Sequence, residues 1–221
     1  GKALRNMLDA LRPRGPDDRG EELIQTENGV TLHLGHQRFS IIDLTQGGHQ
    51  PMSNDDKSVW VSTNSEIYNY KELRNQLSDK FQFHSESDTE VLLRAYEHWG
   101  IPCLDKLLGM FSFAIWDNKK EALFIARDRL GIKPLYYNIK GKQFAFASEL
   151  RPLLASGLID KSINPTGLYH YLSFGHFIAP IMQSVRELKP GHYLWIDKNG
   201  NWKEKEYWHP FGGKQSPVTR P

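Results

Sequence analysis

Hydrophobic and polar positions recur along this chain with two different periods. Leu4, Met7, Leu8 and Leu11 fall at helical spacing, so 2–11 reads as an amphipathic helix that Pro13 stops, with a turn at Arg14-Gly15-Pro16-Asp17-Asp18. The helix opens without a cap before it, which leads us to expect further chain upstream. Alternation with period two takes over at 31–36 and runs into 38–43. A turn-rich loop at 46–51 precedes a strand at 59–61 that is expected to end at Asn64. A helix over 70–77 and an extended piece at 81–84 follow. Ser87-Asp88-Thr89-Glu90 then opens a helix with Val91, Leu92, Ala95, Tyr96 and Trp99 on one face, ended by Gly100. Asp88 and Glu90 suit its first turn, where the helix dipole favours negative charge.

The second half is richer in strands. The run 109–116 is apolar on both faces, as a central strand should be, and 117–120 turns it into a partner at 122–126. A hairpin pairs 135–139 with 143–147 around Gly141. Ser148-Glu149-Leu150 caps a short helix carrying Leu150, Leu153 and Leu154, and Asn164-Pro165 starts another whose apolar side is Leu168, Tyr171 and Leu172. A last hairpin joins 192–197 to 202–207 across Asn199-Gly200. The tail from Gly212 has linker composition. The pattern predicts one α+β domain with largely antiparallel sheets covered by helices.

Composition narrows the chemistry mainly by exclusion. Among 221 residues, 24% are charged and 39% hydrophobic, as in an ordinary globular chain. A net charge of +2 gives no reason to expect nucleic acid or an acidic membrane as partner. No apolar run nears the about 20 residues that span a bilayer, and no signal-peptide pattern opens the chain. The one cysteine, Cys103, can form no internal disulfide, so we expect a cytoplasmic protein. His33 and His36 are placed on opposite faces of a strand and make a poor metal pair, and no CxxC or HExxH spacing occurs. No glycine-rich phosphate loop precedes a helix, so neither metal nor ATP is expected on this stretch.

Candidate chemistry centres on Ser62-Thr63-Asn64-Ser65-Glu66-Ile67-Tyr68-Asn69-Tyr70. A carboxamide at a strand end followed by a turn can set a side-chain N–H beside a backbone N–H, and such a pair holds an oxyanion. Each such donor is worth about 3–4 kcal/mol. Asn64 taken alone reads more simply as a turn residue. Arg38 is the usual bidentate partner for a carboxylate, and Asp88 complements an ammonium group. With Asn64 and the N–H of Ser65 they would read a free amino acid bearing a side-chain amide, provided that they converge.

A series of motifs then carries a family resemblance. It comprises Arg14-Gly15-Pro16-Asp17, His36-Gln37-Arg38-Phe39-Ser40-Ile41-Ile42-Asp43, Gly48-His49-Gln50-Pro51-Met52, Asn64 to Tyr70, Ser87-Asp88-Thr89-Glu90 and Gly109-Met110-Phe111. Arg127-Asp128-Arg129-Leu130-Gly131-Ile132-Lys133-Pro134-Leu135-Tyr136-Tyr137 completes it. The chain resembles the N-terminal glutaminase domain of glutamine-hydrolysing asparagine synthetases, a class II glutamine amidotransferase. The resemblance implies a four-layer αββα N-terminal-nucleophile hydrolase sandwich over 1–210, with 211–221 as a linker toward a C-terminal synthetase domain. It implies hydrolysis of glutamine to glutamate, with ammonia passed to that domain. Glutamine and the synthetase domain are then the partners, a homo-oligomer is left open, and ATP and Mg belong to the synthetase domain. Arg38, Phe39, Ser40, Ile41 and Ile42 would hold the carboxylate end. Asn64, Ser65 and Glu66 would lie at the amide and the amino-acid head, and Asp88 would bind the amine.

Two departures fall in that site. The family nucleophile is an N-terminal cysteine whose α-amine, with a pKa of about 7.7–8.0, serves as its base. This chain starts at Gly1, and Cys103 sits mid-chain without a free α-amine, so the 221 residues are expected not to hydrolyse glutamine. Ser65 stands where the family has Gly; if the position needs positive φ, serine costs about 1–2 kcal/mol there. The alternative function is a catalytically dead amidotransferase-like scaffold or interface module of an asparagine-synthetase-like enzyme.

Overall fold

The computed structural model describes residues 1–26, 28–39, 46–175 and 180–212. In chain order they form α1 (Lys2–Leu11), β1 (Asp18–Gln25), β2 (Thr31–Arg38), β3 (Met52–Ser53), β4 (Val59–Ile67), α2 (Tyr70–Leu77), α3 (Asp88–Trp99) and α4 (Cys103–Lys106). There follow β5 (Gly109–Asp117), β6 (Ala122–Arg127), β7 (Tyr136–Lys140), β8 (Gln143–Ala147), α5 (Leu150–Ser156), α6 (Pro165–Phe174), β9 (Arg186–Glu187), β10 (His192–Asp197) and β11 (Trp202–Glu206). Six strands pair in the order β11-β10-β6-β5-β4-β3, three as β8-β7-β9, and two as β1-β2. Every pairing between these strands is antiparallel.

Side-chain alternation sorts the central sheet into two cores. Phe111, Phe113 and Ile115 of β5 face Leu73 and Leu77 of α2 and Val91, Leu92 and Tyr96 of α3. The alternate residues Ala114 and Trp116, with Leu123, Ile125, Leu194 and Ile196, face the other way and meet Ile24, Leu34, Leu135 and Tyr137 of the smaller sheets. Beyond those sheets, Met7 of α1 and Leu153 and Leu154 of α5 close over Ala145 and Ala147 of β8. The layers therefore run helix, sheet, sheet, helix, and each fully buried apolar side chain contributes about 1.5–3 kcal/mol. Ser87 caps α3, its side chain accepting from Thr89 N at 3.1 Å, and Asn164 caps α6 by accepting from Thr166 N at 3.1 Å.

The structure differs from the sequence pattern at several places. β1 escaped the pattern because, among its eight residues, only Gly20 and Ile24 are buried, leaving a charged outer face. β4 does not end at Asn64; it stays paired with β5 as far as Ile67 opposite Gly109. Residues 81–84 join no strand. Glu149 occupies the N-cap position of α5 without a capping bond, because its carboxylate is held by Arg14 at 2.8 Å and Arg151 at 3.0 Å. The apolar side expected on α6 is not a core face, since Tyr171 and Leu172 stand exposed and only Gly167 is buried. The β10–β11 connection spans residues 198–201 rather than two residues, its backbone gathered by the Asp197 carboxylate, which accepts from Asn199 N and Asn201 N. Residues 40–45, and 213–221 of the expected 211–221 linker, lie outside the described residues.

Candidate active site

A cavity of about 670 Å³ opens where the inter-sheet core meets the ends of β2, β4 and α3. Arg38, Phe39, Asn64, Ser65, Glu66 and Asp88 are among the residues that line it. Ser40, Ile41 and Ile42 lie outside the described residues. Phe39 is largely exposed at the rim.

The geometry of β4 explains why this edge can do chemistry. Phe111 directs its backbone away from β4, donating N–H to Asp128 Oδ2 at 3.2 Å and accepting Asp128 N–H at 2.8 Å. Antiparallel ladders alternate, so its opposite number Ser65 turns its own N–H away from β5, toward the outer edge of β4. Thr63 N–H points the same way and is taken by Gln50 Oε1 at 2.7 Å. Ile67 N–H also points that way and is taken by Asp88 Oδ2 at 3.0 Å. Ser65 N–H, between them, has no partner among the described residues. The neighbouring Asn64 carboxamide likewise makes no hydrogen bond among them, and both residues border the cavity. Ser65 lies in extended strand, outside the positive-φ set, so the backbone cost expected of serine at this position does not arise.

Asp88 is the first residue of α3 and only 5% exposed. Burial raises its carboxyl above the usual range, opposed by hydrogen bonds from Ile67 N and the Ser65 hydroxyl. Arg38 is 7% exposed at the end of β2. Its guanidinium packs against Gly48, where a Cβ would overlap Nη2 and Cζ, so any other residue there would have to displace it. His36, on the same face of β2, is pushed down to about 4, by burial first and by the charge of Arg38 second, and so stays neutral near pH 7.

Sequence reasoning gave no site role to Gln50, Lys133 or Ser112, all of which line the cavity. Lys133 pairs with Glu66 across 3.4 Å. It is delivered by a loop wound on the Asp128 carboxylate, which accepts from Leu130 N, Ile132 N and Lys133 N at 2.9–3.1 Å. The motif containing Lys133 was visible; its pairing with Glu66, 67 positions away, was not. Cys103 is fully buried in α4 outside the cavity lining, its thiol pushed up to about 12 by burial and by Asp105. His33 and His36 do lie on opposite faces of β2.

The four layers, helix, sheet, sheet, helix, are those of the N-terminal-nucleophile hydrolase sandwich that the sequence resemblance implies, and a solved structure shares them. A glutamine phosphoribosylpyrophosphate amidotransferase from B. subtilis shares this fold with a TM-score of 0.69, at 20% identity over 93% of this chain and 46% of that one. The family described as "Glutamine amidotransferase domain" matches residues 1–208, and the chain belongs to it. It is 38% identical over 216 residues to asparagine synthetase [glutamine-hydrolyzing] 3 of Bacillus subtilis (strain 168), covering 94% of this chain and 34% of that protein. Amidase chyE of Penicillium rubens is 36% identical over 93% of this chain and 30% of its own length. The chain thus spans about a third of these relatives. No helix among the described residues is long and apolar enough to cross a membrane.

Proposed function

We propose that this domain binds glutamine and forms the glutaminase half of an ammonia-transferring synthetase. One observation carries the reading: the open Ser65 N–H and the Asn64 carboxamide border the same cavity as Arg38 and Asp88. The Arg38 guanidinium takes the glutamine α-carboxylate, and ionised Asp88 takes the α-ammonium. The side-chain amide oxygen then points at Asn64 and Ser65 N–H. When a thiolate adds to the amide carbon, the negative oxygen that forms is stabilised by these two donors. Collapse expels ammonia, the nitrogen taking up the proton that the thiol gave to its base, and leaves a thioester, which water hydrolyses to glutamate and the free thiol.

The thiolate is not that of Cys103, whose buried thiol lies outside the cavity lining. In this proposal the nucleophile is an N-terminal cysteine of the natural protein, and the 221 residues by themselves bind glutamine without turning it over. The ammonia passes to an ATP-dependent synthetase domain in the cytoplasm, with aspartate as acceptor. ATP and Mg²⁺ are assigned to that domain.

Calorimetry with glutamine on the 221-residue chain, beside ammonia release by the full-length natural protein, tests this. We expect saturable binding that Arg38→Ala or Asp88→Ala weakens at least about tenfold, as loss of a charged hydrogen-bond partner does. We also expect ammonia only from the full-length protein. No binding, or ammonia released by the 221 residues alone, would sink it.

A further inference from the structure

We infer that Gln50 is a positioning residue of the glutamine site, fixing the open donor of β4 and the amine-binding carboxylate of α3 with one side chain. The inference rests on the glutamine reading and assigns a task to a group outside it. β3 pairs Met52 with Val61 and Ser53 with Trp60. Continued in that register, the chain would set Gln50 opposite Thr63 and Gly48 opposite Ser65, and a backbone carbonyl at 48 would cover the Ser65 N–H.

The chain instead leaves the sheet at Pro51. The Gln50 carbonyl turns to Gly20, where a Cβ would overlap it, and Gly48 goes to the Arg38 guanidinium. Gln50 then completes the ladder with its side chain. Its Oε1 accepts Thr63 N–H at 2.7 Å, and its Nε2 donates to Thr89 Oγ1 at 3.2 Å. A main-chain N–H can only donate, so the orientation of the carboxamide is set.

Thr63 is the residue before Asn64, and Thr89 is the residue after Asp88. One carboxamide, 7% exposed, therefore spans the two elements that carry the proposed oxyanion donors and the proposed amine acceptor. It caps the strand edge at 63 while leaving 65 uncovered, which no continuing backbone strand could do. Such placement matters because small displacements of positioned groups are felt strongly in catalysis.

The test uses the full-length natural protein, with glutamine KM and kcat for ammonia release and the thermal midpoint measured for each variant. Gln50→Leu removes both ties, Thr89→Val only the tie to α3, and Thr89→Ser keeps the hydroxyl. We expect Gln50→Leu to raise KM and lower kcat by at least about tenfold each, since both clamping bonds are lost. Thr89→Val should raise KM with kcat nearly unchanged, and Thr89→Ser should restore the wild-type KM. Folded Gln50→Leu with wild-type constants would overturn the positioning role. So would a Thr89→Ser protein as impaired as Thr89→Val. A wild-type protein that releases no ammonia from glutamine would instead overturn the glutamine reading beneath it.

Discussion

The Ser65 hydroxyl donates to Oδ2 of Asp88 across 3.3 Å, and the Ile67 N–H reaches the same oxygen at 3.0 Å. Serine here thus supports the carboxylate it stands beside. Both bonds favour the ionised form and work against burial, which raises the carboxyl above its usual range.

The consequence is a pH dependence with a definite sign. The native carboxyl holds its proton to higher pH than the unfolded one, whose pKa is about 3.9. As pH rises from there through the native value, the native state binds more protons than the unfolded state, so this group's contribution to stability declines. Ser65→Gly removes one bond to the ionised form, so the decline should reach higher pH. Urea midpoints from pH 3 to pH 8 would show it. Adding Asp88→Asn to both the wild type and the Ser65→Gly variant should flatten the difference between them.

Gly48→Ala would drive a methyl into the Arg38 guanidinium. Overpacking of this kind costs about 1–3 kcal/mol, and here the guanidinium has to move to relieve it. We expect glutamine affinity to fall about tenfold or more, read by calorimetry, with far-ultraviolet circular dichroism unchanged.

Cys103 should be inert in the native chain. Its thiol is fully buried and pushed up to about 12, so almost no thiolate exists at pH 8. Iodoacetamide at pH 8 should leave the native mass unchanged and add one carbamidomethyl group after unfolding in guanidinium. Rapid native alkylation would contradict the packing described.

Asp128→Ala should be strongly destabilising. The carboxylate is 1% exposed and accepts from the N–H groups of Phe111, Leu130, Ile132 and Lys133. Stripping these donors of their acceptor should cost about 3–5 kcal/mol, visible as a lowered urea midpoint. The loop that presents Lys133 to Glu66 should loosen at the same time, seen as faster amide exchange at Ile132 and Lys133.

Period and composition by themselves determined α1, α2, α3, the β5–β6 pair and the β7–β8 hairpin, because those elements are specified by which positions are apolar and which residues cap them. The motif series also singled out Arg38, Asn64, Ser65, Glu66 and Asp88, all of which line one cavity. Tertiary structure alone decided that β4 runs on past Asn64 to Ile67, so that Ser65 is an extended residue with its N–H at an uncovered sheet edge. It alone decided that Gln50 fills the place of a departing strand, and that Lys133 meets Glu66. The reason is directional: a residue type fixes what a side chain can donate or accept. Where a backbone N–H points depends on which strand lies on its other side, and that neighbour comes from elsewhere in the chain.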